Sequence, residues 1–106
     1  MFEVSNSGNE TVITVQVGSF EAANVESFKE FIEAECPAGV QQVAVDLAAV
    51  DMIDSSAIGA LLSVQKRLSD PTERVTIRGA KPPVLSVIEL LRLHRVFRIE
   101  STVAAA

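Results

Sequence analysis

At 106 residues, 48% of them apolar, and with a formal net charge of −5, the chain is sized for one domain around one hydrophobic core. The acidic balance and the lack of Tyr and Trp exclude a phosphate-tracking surface and an aromatic stacking platform, so no nucleic-acid partner is expected. One cysteine cannot form an internal disulfide, and no apolar run approaches the ~20 residues of a bilayer span.

No signal sequence precedes Phe2, so a reduced, cytoplasmic protein without a membrane partner is expected. Residues 2–5 can open a strand, and Asn6-Ser7-Gly8-Asn9 is a turn cluster. Residues 11–17 then alternate in the manner of a second strand, which makes a hairpin with the first. Gly18-Ser19 breaks the pattern. From 20 to 35, Val25, Phe28, Phe31 and Ile32 recur at three- and four-residue spacing, the mark of an amphipathic helix closed by Pro37-Ala38-Gly39. Cys36, next to that stop and near Glu33 and Glu35, reads as a small structural residue rather than a reactive thiol.

Residues 43–47 form a short apolar run suited to a buried strand. A second helix is expected over 56–68, ended by Asp70-Pro71, and a strand over 74–78 with Val75 and Ile77 inward. Pro82-Pro83 opens a third helix through about Arg92, and 96–99 can form a last strand. Arg92, Arg95 and Arg98 cluster with His94 near the end; Arg and His in the last turn of that helix would complement its dipole, with partner docking as the alternative. The tail 103–106 is expected to fray. The order is β-β-α-β-α-β-α with a final β, an α/β single domain over 1–106 in which a mixed sheet of four to five strands packs against three helices.

The segment DSSAIGALL, Asp54 to Leu62, begins the second helix on an acid and two serines. At ~100° per residue, Ala57, Ile58, Leu61, Leu62, Val64 and Leu68 fall in one arc that faces the sheet, interrupted by Gln65. Ser56, Gly59, Ser63, Lys66 and Arg67 fall on the other side. Asp54 or Ser55 is the natural N-cap. Simple capping explains one such group, yet three are present. Ser56 would face water at the positive end of the helix, where an added phosphate is tolerated. Asp51 and Asp54 would repel that phosphate, and its addition would change the docking surface while leaving the fold intact.

Taken with the element order, DSSAIGALL resembles the D-S-S/T-G-L-G-x-L pattern of the STAS domain family, of the anti-sigma factor antagonist type. The likeness extends over VAVDL, VDMIDSSAIGALLSVQKRL, VTIRG, PPVLSVIELLRL and FRI, nearly the whole chain. It implies a STAS-like fold and a partner switch. In such a switch the unphosphorylated protein binds an anti-sigma factor that is also a serine kinase, and phosphorylation releases it. A PP2C-type phosphatase restores it. Carried onto this sequence, Ser56 is the phosphorylation site, and Asp54, Ser55, Ser56, Gly59 and Ser63 are partner-binding positions. Ala57 stands where the family usually has Gly, and GSFE stands where G-x-L-D is common. The resemblance implies a bacterial signal-transduction protein acting on transcription, with a monomer as the default state.

Two other readings compete. A STAS scaffold, or an accessory subunit of a sensory complex or lipid-transport ATPase, would keep the fold and drop the phospho-switch. An enzyme or phosphoaccepting receiver would use Asp46, Asp51 and Asp54, with Lys81 as the strand-end lysine, but only Glu3 lies near the first strand to complete an acidic pair. No phosphate-cradling loop, metal-ligand spacing or nucleophile elbow is present, and His94 is a helix-end residue among arginines. No catalytic residue, metal or cofactor is therefore expected.

Overall fold

The computed structural model of the chain describes residues 1–36 and 38–100. The expected stop at Pro37 and the tail 103–106 lie outside the described residues. Strands β1 (Phe2–Ser7) and β2 (Glu10–Val15) form the expected hairpin, in register from Phe2 opposite Val15 to Ser7 opposite Glu10. Its two-residue turn needs a positive φ, and Gly8 supplies one at +62°.

Strands β4 (Gln42–Asp46), β6 (Thr76–Arg78) and β7 (Arg98–Glu100) add to β2 in parallel, giving a five-stranded mixed sheet in the order β1-β2-β4-β6-β7. The connecting helices are α1 (Ala22–Glu35), α2 (Ser55–Val64) and α3 (Pro82–Leu90). From β2 onward the sheet grows in one direction, so right-handed crossovers place all three helices on one face. Burial follows that geometry. Ile13, Val15, Val43, Val45 and Ile77 are sealed against the helices, with Phe28, Ile32, Leu61 and Ile88 among their buried neighbours. The alternate residues Thr14, Thr76, Arg78 and Glu100 stay partly or fully exposed. On this open face Arg78 reaches both Glu10 (3.2 Å) and Glu100 (2.8 Å).

Several boundaries differ from the sequence expectation. Phe20 is not in α1. It belongs to β3 (Ser19–Phe20), which pairs in parallel with β5 (Met52–Ile53) as a separate two-stranded sheet. The second helix ends at Val64 and continues as one 3-10 turn, Gln65–Arg67. Gln65, the polar break in the apolar arc, is half-buried because its side-chain amide is used: Nε2 donates to the Glu73 carbonyl and Oε1 accepts from Val75 N–H at 3.1 Å. That pair leads the chain into β6.

The third helix stops at Leu90, short of Arg92. Arg92 lies in the left-handed region at φ 59°, and a 3-10 turn, Leu93–Arg95, follows it. The last helical turn of α3 therefore carries no basic residue, and the dipole role expected of Arg92, His94 and Arg95 is not realised there.

Candidate functional site

The parallel strands end on one side of the molecule, where α1, α2 and α3 all begin. Ligand and partner sites on α/β sheets tend to lie at this edge. Here the loops are stapled together by backbone bonds. The Gly18 carbonyl accepts from both Asp51 N–H (2.7 Å) and Met52 N–H (3.2 Å), and the Phe20 carbonyl accepts from Asp54 N–H (3.2 Å). Phe20 and Ile53 turn inward and are buried, whereas Met52 is left exposed and Ser19 half-buried.

Asp54 is the N-cap of α2, in extended conformation. Its Oδ1 accepts from Ala57 N–H at 2.9 Å, and its Oδ2 accepts from Ala22 N–H, the first residue of α1, at 3.0 Å. One carboxylate thus serves two helix starts, each with amides that lack intrahelical partners. The Ala57 amide, with those of Ala22 and Ser56 adding to it, holds the Asp54 carboxyl below the usual aspartate range. Asp54 is therefore committed to holding the loop.

Ser55 and Ser56 are the first two residues of α2, and both are exposed. Among the described residues neither hydroxyl makes a hydrogen bond. Behind them Ala57, Ile58, Ala60, Leu61 and Val64 are buried, so the helix is anchored along one side only. The expected arc holds, with Ala60 added to it and Leu62 half-buried at its margin. Gly59 is exposed, and a Cβ placed there would meet no atom within 4 Å. Ser63 is half-buried, and its Oγ donates back to the Ala60 carbonyl at 2.6 Å, which satisfies the hydroxyl within the helix. The five residues singled out from the sequence therefore lie along one helix and its cap. Ser55, Ser56 and Gly59 are open to solvent, while Asp54 and Ser63 are engaged.

Met52 was not singled out from the sequence, yet its side chain is 66% exposed two residues before the N-cap. Its exposure is set by β5, where Ile53 turns inward and Met52 outward, and a two-residue strand leaves no period in the sequence from which this could be read. Lys81 was also missed as a neighbour of this loop. It donates to Asp51 Oδ1 at 2.6 Å and ties the start of α3 to the β4–β5 connection. Both groups are exposed, so the pair adds little stability.

The three aspartates of the receiver reading have separate duties. Asp46 accepts from Ala48 N–H at 2.9 Å, Asp51 binds Lys81, and Asp54 caps. Among the described residues no group of three or more His, Cys, Asp or Glu is placed to hold a metal ion, and no helix is long and apolar enough to cross a membrane. Cys36 is fully buried, and burial raises its thiol pKa against the opposing pull of Arg67.

Comparison with known proteins agrees with this architecture. The family model described as "STAS domain" matches residues 2–106. A protein of Bordetella bronchiseptica, BtrV, named as a candidate anti-sigma factor antagonist, is 27% identical over 89 residues, covering 84% of this chain and 77% of its own. Among solved structures, an anti-sigma factor antagonist from Mycobacterium paratuberculosis superimposes with a TM-score of 0.80 at 21% identity, over 99% of this chain and 88% of that one. SpoIIAA, an anti-sigma factor antagonist in its unphosphorylated form, gives a TM-score of 0.72 at 18% identity, over 99% and 92%. The phosphorylated form of the same Bacillus protein gives 0.63 at 17% identity, over 99% and 96%.

Proposed function

The chain belongs to the STAS domain family, and on that premise we propose that it is a phosphorylation-controlled binding protein of the anti-sigma factor antagonist type, with Ser56 as the acceptor. The observation that carries this reading is the Ser56 side chain, exposed and without a hydrogen-bonding partner among the described residues, at the tip of a helix whose opposite side is buried. A kinase can approach such a hydroxyl without disturbing the core. The solution of SpoIIAA, a protein of the same fold, in both unphosphorylated and phosphorylated forms supports the choice of chemistry.

In the proposed cycle the unmodified protein docks on a partner that is both anti-sigma factor and serine kinase. The docking face comprises Ser55, Ser56 and Gly59, with Ser63 at its far end and Asp54 shaping its rim. The kinase transfers the γ-phosphoryl group of ATP to Ser56 Oγ, and ADP departs. The phosphate adds about −1.5 to −2 charges at neutral pH. Those charges arrive beside the Asp54 carboxylate, at a helix tip that had presented the uncharged hydroxyls of Ser55 and Ser56. The positive end of α2 makes the added anion tolerable to the fold. The partner meets an altered charge and shape and leaves. A PP2C-type phosphatase hydrolyses the ester and resets the surface.

The test is phosphorylation of the purified protein by its cognate kinase with ATP, read by intact mass and peptide mapping. One phosphate on Ser56 is the expected result, and Ser56→Ala should take none while keeping its melting temperature. Phosphate on another residue overturns the assignment. Stable copurification with a large complex, indifferent to ATP and phosphatase, would favour a scaffold instead.

A further inference from the structure

The side of the molecule away from Ser56 carries a groove of about 460 Å³ between α3 and β7. A volume of this size is typical of small-ligand sites, which are mostly apolar with a few convergent polar groups. The apolar lining here comes from Leu85 and Ile88 of α3, Phe97, and Ile99 of β7. Ile88 and Phe97 are fully buried and form the floor. Arg74, Arg98 and His94 stand around it, with Glu89 as the single acid.

The charge at this rim runs against the rest of the chain. The protein as a whole is acidic, yet two guanidinium groups converge here on an apolar surface. Arg98 is engaged with Glu73 at 3.3 Å. Arg74 forms no ion pair among the described residues, so its planar fork is available to a carboxylate or similar anion. The chain also departs from ordinary backbone geometry beside the groove. Arg92 holds the left-handed conformation that ends α3, and the turn after it carries His94 and Phe97 to the groove.

We propose that this groove is a binding site for a single-chain amphiphile with an anionic head, the alkyl chain lying over Leu85, Ile88 and Ile99 and the head meeting Arg74. The match is one of charge as well as polarity. A neutral chain would leave the Arg74 guanidinium unanswered, and a bare anion would leave the apolar floor uncovered. The site is separate from Ser56, and its occupancy does not depend on the proposed switch.

Sodium decanoate below its micelle threshold is a suitable probe, titrated into methyl-labelled protein and followed by NMR. The expected result is saturable shifts centred on Leu85, Ile88 and Ile99. Acetate, which lacks the chain, and decyl maltoside, which lacks the charge, should each bind at least about tenfold more weakly. Arg74→Glu, at an exposed position, should weaken decanoate by about fivefold or more without lowering the melting temperature. Equal affinity for decanoate and decyl maltoside would overturn the proposal. So would shifts centred on the exposed Leu90, Leu91 and Val96, or an absence of saturation. Groove shifts that follow protein concentration without decanoate would mean that a second copy occupies the groove, and would overturn it too.

Discussion

Helices α2 and α3 begin at the same edge of the sheet, yet their openings are built for opposite ends. The first two residues of α3 are Pro82 and Pro83, which have no N–H to offer. The next two amides, of Val84 and Leu85, both donate to the Lys81 carbonyl at 2.9 Å. That start is closed. The first two residues of α2 are Ser55 and Ser56, which keep their amides and add two hydroxyls facing water. The amides just behind them are taken, Ala57 by the Asp54 side chain and Ile58 by the Asp54 carbonyl at 3.1 Å. Two helices of similar length thus differ in what their tips expose. The difference separates a helix start used to terminate a loop from one suited to presenting a group.

The comparison is most strongly tested by attacking the buried side of α2. Leu61→Ala should cost about 2–5 kcal/mol in chemical denaturation, because the side chain is fully enclosed and its loss leaves a cavity. A small effect would mean that α2 is loosely held and cannot present anything rigidly.

Next comes the cap. Asp54→Asn should lower the melting temperature, since two helix starts lose a charged acceptor, and should flatten the dependence of stability on acid pH. The Asp54 carboxyl titrates below its unfolded value when folded, so its contribution is complete above about pH 4 and fades as pH falls through the lower folded value. An unchanged acid profile in the variant would show that the double cap contributes nothing.

Pro83→Ala should destabilise by about 0.4–1 kcal/mol, through greater freedom of the unfolded chain rather than any lost contact. Smallest of all, Ser55→Ala should stay within roughly 0.5 kcal/mol of the parent, as expected for an exposed side chain with no bonds to lose. A larger loss there would make the serines structural and erase the contrast between the two openings.

Much of this was legible in the sequence, for reasons that differ between elements. The 3.6-residue spacing of Ala57, Ile58, Leu61 and Val64 identified the buried side of α2, and the exposure of Ser56 follows from it. The hairpin was legible because its turn demands particular residues, and Asn6-Ser7-Gly8-Asn9 supplies them. By contrast, β3 and β5 have two residues each, too few for any period to show. Their existence rests on pairing between segments 33 residues apart, Ser19 with Met52 and Phe20 with Ile53.

The second duty of Asp54 is invisible for the same reason, since Ala22 lies 32 positions away. The end of α3 eluded the pattern because no Gly or Pro marks it; Arg92 adopts a backbone conformation that its residue type does not advertise. Local rules read local structure well, and contacts made across the chain have to be seen.

At one rim of the sheet, β7 presents only three described residues to any foreign strand, two of them oppositely charged. A stray polypeptide laid along that rim would gain few ladder bonds and would have to accommodate Arg98 and Glu100. Arg98 and Glu100 are also held in ion pairs by Glu73 and Arg78, so their charges are fixed at the border. On that side the described edge carries its own guard against stacking into fibrils.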